Sequence, residues 1–64
     1  MRIILSYEKM NFVDLTTEQA EKVKEIAGDC IIKEVSNGIT VAADKGTLYQ
    51  IICNLSFTYD IEIV

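Results

Sequence analysis

The sequence predicts a small α+β domain built as a two-layer sandwich of one sheet and two helices. Three observations carry that expectation. Apolar and polar residues alternate near both ends of the chain, which is the spacing of half-buried strands. Two inner stretches repeat their apolar residues at helical intervals, each behind a good capping residue. Between those stretches an Asn37-Gly38 pair separates two β-rich runs, the signature of a hairpin. Sixty-four residues make a single domain, residues 1–64, and leave no room for a second.

In chain order, Arg2 to Tyr7 reads as a strand with Ile3, Leu5 and Tyr7 on one face and Arg2, Ile4 and Ser6 on the other. Glu8 to Asp14 reads as a connection whose Met10, Phe12 and Val13 fold back over the end of the core. Thr16 is a natural N-cap, and Gln19 three residues later completes a capping box. Leu15 ahead of the cap can staple onto Ala20. Ala20, Val23, Ile26 and Ala27 form the buried stripe, Glu18 and Lys22 pair on the wet side, and Gly28 ends the helix.

Cys30 to Val35 and Ile39 to Ala43 read as the two strands of the central hairpin, with Asn37-Gly38 as a type I′ turn in which both residues take positive φ. Asp44 caps a second helix, where Leu48, Ile51, Ile52 and Leu55 recur at helical spacing. The β-branched and aromatic content of 47–53 makes a strand the alternative there. Phe57 to Val64 alternates Phe57, Tyr59, Ile61 and Ile63 against polar neighbours and reads as a half-buried strand. The resulting order, β-α-β-β-α-β with a tight central hairpin, is the ferredoxin-like pattern. It implies an antiparallel four-stranded sheet with two helices on one face, the first and third strands central and the others at the edges.

Composition removes several functions. Ten acidic residues against six basic ones give a net charge of −4, the wrong sign for a nucleic-acid binder. No apolar run is long enough for a membrane span or a signal-peptide core, so the expectation is a cytoplasmic protein with reduced thiols. Histidine is absent, which removes the usual general base and the commonest metal ligand. Cys30 and Cys53 have no basic run to activate them and read as small buried hydrophobes. Asp60 and Glu62 share a strand face, where Arg2 and Lys33 are available as counter-charges. No catalytic residue, cofactor or metal site is expected.

One feature stands out against this background. From Gly46 to Tyr59 no residue is charged, although charges recur every few positions before it. On a helix, Tyr49 and Cys53 would flank the core stripe, and Gln50, Asn54 and Thr47 would fill the outer face. That composition suits an interface. The open face of the sheet, with Ile4, Ala42, Val64 and Ile32, offers a second apolar surface. The expectation is a non-catalytic protein-interaction or regulatory module that self-associates as a homodimer, with Tyr49, Cys53, Ile4 and Val64 as partner contacts. The alternative is a sensor of a small amino-acid-like ligand, bound at a subunit interface by Asn11, Phe12 and Asp14.

Overall fold

A computed structural model describes all of residues 1–64. The elements are β1 (Arg2–Ser6), β2 (Lys9–Val13), α1 (Thr17–Ala27), a 3-10 turn at Gly28–Cys30, β3 (Ile31–Val35), β4 (Gly38–Ala42), α2 (Lys45–Ser56) and β5 (Glu62–Ile63). The five strands form one sheet in the order β3-β4-β2-β1-β5. All neighbours are antiparallel except β1 and β5, which run parallel. The protein is thus a small α+β domain with two helices and a mixed five-stranded sheet. The expected four antiparallel strands are corrected on both counts.

The strand not expected from the sequence is β2, the segment read above as a connection. Met10 and Phe12 point into the core while Lys9, Asn11 and Val13 alternate outward, the period of a strand. It pairs with β1 from Arg2↔Val13 to Ser6↔Lys9 around a two-residue turn, Tyr7-Glu8. Glu8 takes φ 57° there, a conformation a glycine or asparagine would adopt with less strain, so the turn carries no recognisable residue. Asp14 also takes φ 57°, and redirects the chain from β2 into α1. Because β2 and β3 both run antiparallel to β4, they are parallel to each other with β4 between them. β1 therefore lies beside β2 and pushes the last strand outward to a parallel edge position.

Cross-strand register divides the sheet into two faces. Ile3, Phe12 and Ile39 stand side by side, as do Met10 and Val41, and all five are buried. Val23 and Ala27 from α1 and Leu48, Ile51 and Leu55 from α2 complete the core with Leu15. Both helices thus cover one face. On the other, Ile4, Asn11, Thr40 and Lys33 form a continuous row across four strands, in which Thr40 Oγ1 donates to Asn11 Oδ1 at 2.6 Å.

The central hairpin forms one residue earlier than expected. Val35 pairs with Gly38, so the turn residues are Ser36 and Asn37, and neither Asn37 nor Gly38 has positive φ. Gly38 is buried inside β4, where an added Cβ would sit 3.0 Å from the Phe12 carbonyl oxygen and 3.2 Å from Val35 Cγ2. Its role is close approach of β4 to β2. The turn is anchored through its backbone, because Leu15 N–H donates to the Asn37 carbonyl at 3.1 Å.

α1 matches the sequence reading at its start. Gln19 N–H donates to Thr16 Oγ1 at 3.1 Å, and Thr16 N–H donates to Gln19 Oε1 at 3.0 Å. Gly28 closes the helix at φ 53° and ψ −121°, a region open to glycine. The expected Glu18–Lys22 pair is replaced. Lys22 approaches Glu25 at 3.8 Å, and Glu18 instead accepts from the Tyr59 hydroxyl at 3.4 Å. Lys24 reaches Glu34 on β3 at 3.0 Å, tying the helix to the sheet edge.

Residues 47–55 are helical, which removes the strand alternative. Asp44 holds the helix start: Thr47 Oγ1 donates to its Oδ1 at 2.6 Å and Thr47 N–H to its Oδ2 at 3.4 Å. These bonds favour the charged carboxylate and lower its pKa below the ordinary 3.8. A depressed folded-state pKa means that the cap's contribution is complete above about pH 4 and fades as pH falls through the folded value. Urea unfolding between about pH 5 and pH 2.5 should therefore show a smaller acid loss for Asp44→Asn, which cannot titrate, than for the wild type. Equal losses would mean that Asp44 does not titrate through this cap.

The last expected strand is mostly absent. Phe57 caps α2 and is 84% exposed, and Thr58 and Tyr59 N–H groups both return to the Leu55 carbonyl. Only Glu62 and Ile63 pair, opposite Arg2 and Ile3.

Candidate functional site

The four expected contact residues fall on two separate surfaces. Ile4 is 41% exposed on the open face of the sheet, and Val64 is exposed beside it past the end of β5. Tyr49 and Cys53 lie on the flank of α2, across the sheet from Ile4. The structure does not bring the two pairs together.

The open face is more developed than its sequence suggests. Gly38 lies in a hollow of about 230 Å³ whose lining includes Ile4, Val13, Val35, Asn11, Thr40 and Lys33. Val35, missed in the sequence reading, is among the most exposed apolar residues of this face. The signal that could have found it is its place two residues from Lys33 on an edge strand. Ile32 is also exposed, at the irregularity where β3 slips one residue against β4. Arg2 sits at one border, its Nη1 3.4 Å from Asp14 and its Nε 3.3 Å from Glu62. All three side chains are at least half exposed, so the pairs orient more than they stabilise.

The second surface runs along α2. Met10 and Phe12 lie beneath the helices in the core, so their segment does not cover the uncharged face of α2. Tyr49 borders a groove of about 320 Å³ with Leu5, Ser6, Tyr7, Lys45 and Leu48. Tyr7 was placed on the core side by alternation and is instead 81% exposed in the β1–β2 turn. Lys45 and Tyr49, four residues apart on α2, share one flank, a spacing that was visible in the sequence.

The residues of the ligand-sensor reading are scattered. Phe12 is only 1% exposed in the core, Asn11 faces the opposite side of β2, and Asp14 is engaged with Arg2 beyond the strand's end. With Glu8 to Asp14 largely strand, no loop gathers them. Cys30 is half-buried, whereas Cys53 is exposed rather than buried as expected, and both are free thiols. Glu62 is taken by Arg2, and no three Cys, Asp or Glu residues stand close enough to hold a metal ion. Tyr59 has its phenol pushed above the usual value, first by desolvation and then by the Glu18 carboxylate.

No helix is long and apolar enough to cross a membrane. No protein-family model matches the chain, and neither a curated protein nor a solved structure matches it.

Proposed function

We propose that this chain is a non-catalytic protein-interaction or regulatory module that pairs with a second copy of itself through the open face of its sheet. One observation carries the reading: Ile4, Val13 and Val35 line an uncovered hollow together with an Asn11–Thr40 pair whose hydrogen bond is already made. A partner can bury such apolar groups without orphaning the polar pair between them, and a two-layer sandwich leaves that face to be covered. A standard interface takes about 800 Å² from each partner. That is about a fifth of the 4103 Å² surface of this chain.

Edge-to-edge pairing is the less favourable route. Two antiparallel copies of β3 related by a two-fold axis must match residues of the same sheet face. Registers centred on Lys33 or Glu34 set like charges directly opposite, which is destabilising. The irregularity at Ile32 further interrupts that edge. The ferredoxin-like reading is retained in a modified form, with β2 as its first strand and β1 inserted before the last. Two free thiols fit a reducing cytoplasm.

Sedimentation equilibrium of the wild type and of Ile4→Lys tests the reading. Ile4 is outside the core, so the variant should keep its circular dichroism spectrum while its dimer dissociates at least about tenfold more readily. A wild type that stays monomeric at about 1 mM overturns the proposal.

A further inference from the structure

We propose that the Asn37–Gly38 peptide is a site of self-modification, where the chain converts its asparagine to aspartate or isoaspartate, and that the isoaspartate form opens the turn between β3 and β4. Water is the only co-reactant. The Gly38 backbone nitrogen gives up its proton and bonds to Asn37 Cγ. The Cγ–Nδ2 bond breaks, and the departing amide takes up a proton and leaves as ammonia. A cyclic imide then joins the two residues, and water opens it at one of its two carbonyls. Breaking the new bond to Cγ leaves an ordinary aspartate. Breaking the original bond to the backbone carbonyl carbon leaves isoaspartate, whose main chain runs through Cβ and Cγ.

The fold singles out one asparagine of three, Asn11, Asn37 and Asn54. Asn11 Oδ1 accepts from Thr40, and the next nitrogen belongs to Phe12, buried within β2. Asn54 is exposed, but Leu55 after it is buried inside α2, where the backbone nitrogen is held in the helix. Asn37 alone precedes a glycine, which has no Cβ to hinder the attacking nitrogen. Its side chain is exposed in a two-residue turn and takes part in no side-chain hydrogen bond. Gly38 pairs with Val35, so ring closure waits on fraying of the turn. Such openings at the end of a hairpin are among the least costly in a fold. The reaction is therefore slower than in the unfolded chain but not abolished.

The consequence follows from what the turn holds. Leu15 N–H donates to the Asn37 backbone carbonyl at 3.1 Å. In isoaspartate that carbonyl becomes part of a side carboxylate, and the main chain of the turn gains one atom. Val35 and Gly38 then no longer close opposite each other, and Gly38 leaves its tight place beside the Phe12 carbonyl. Val35 and Gly38 both line the hollow on the open face, so the isoaspartate form self-associates less well. This last consequence rests on the interface reading of that face; the rearrangement itself does not.

The test stores native protein for weeks at mildly acidic and mildly alkaline pH, with a sample in concentrated urea beside it, and weighs its proteolytic fragments. The native fragment holding residue 37 should gain about 1 Da, and faster at alkaline pH because the attacking nitrogen must lose its proton. The gain should be faster still in urea. Native fragments holding Asn11 and Asn54 should stay unchanged. Asn37→Gln, which would have to close a larger ring, should keep the wild-type circular dichroism spectrum and gain no mass. Electron-transfer fragmentation identifies the isoaspartate form. Once separated, it should exchange its Leu15 amide hydrogen at least about tenfold faster than unmodified protein. Asn37→Asp, which adds the charge without rerouting the main chain, should keep the wild-type exchange. No mass gain in native protein, or an equal gain at Asn11 or Asn54, overturns the proposal. An isoaspartate form with unchanged Leu15 exchange overturns the opening of the turn. A wild type that proves monomeric refutes self-association alone, since none of these readouts depends on it.

Discussion

Phe12→Ala is expected to leave the chain largely unfolded in water at room temperature. Phe12 is 1% exposed at the centre of the sheet, flanked by Ile3 on one side and Ile39 on the other, with both helices above it. Truncating a buried phenylalanine costs about 3–5 kcal/mol, partly from lost transfer energy and partly from the cavity left behind. A domain of this size has a total stability of only about 3–10 kcal/mol. The loss therefore consumes most of what holds the fold. Urea unfolding followed by circular dichroism measures it, with Phe57→Ala as the internal control. The sequence pattern puts Phe57 on one face of a half-buried strand and Phe12 in a connection folded over the end of the core, but Phe57 is 84% exposed. Its replacement should change stability by less than about 0.5 kcal/mol. Similar effects at the two phenylalanines would mean that β2 is not an internal strand.

Gly38→Ala comes next in size, at about 1–3 kcal/mol. The added methyl would lie 3.0 Å from the Phe12 carbonyl oxygen, a backbone atom held in the β2–β4 ladder, and 3.2 Å from Val35 Cγ2. The side chain can rotate away, but the carbonyl moves only if the strands part. Asn37→Ala should cost less, because the turn uses the Asn37 backbone carbonyl and neither residue needs positive φ. The opposite ranking would indicate a type I′ turn centred on Asn37-Gly38. Chemical denaturation of the two single variants decides between these geometries.

What the sequence reveals is unevenly distributed. Both helices are legible because their signals are local: Thr16 and Asp44 bond within three residues, and the apolar stripes follow the helical repeat. β2 is hidden for an equally local reason. Its alternation of Lys9, Asn11 and Val13 with Met10 and Phe12 is sound, but Tyr7-Glu8 gives no sign of a turn, so the strand merges into its approach. Gly38 misleads in the other direction, since an Asn-Gly pair advertises a turn while this glycine serves a contact with a strand distant in sequence. The alternation of Phe57 to Val64 is real, yet the two N–H groups folding back on Leu55 consume its first half. Of the candidate surfaces, the uncharged face of α2 can be read from composition. The groove beside Tyr49 cannot, because it depends on α2 packing beside Leu5 and Tyr7, which are distant from it in the chain.

That short β1–β5 ladder also bears on how the chain assembles. The β1–β2 and β3–β4 hairpins each close over two residues, whereas joining Glu62 to Arg2 requires the two ends of the sequence to meet. Only two residue pairs hold β5 in place, the fewest of any ladder in the sheet. β5 is therefore the first strand to detach, leaving a four-stranded antiparallel sheet behind it. Its brief release would unpair the Met1 and Ile3 carbonyls, which accept from Glu62 and Val64 when the strand is docked.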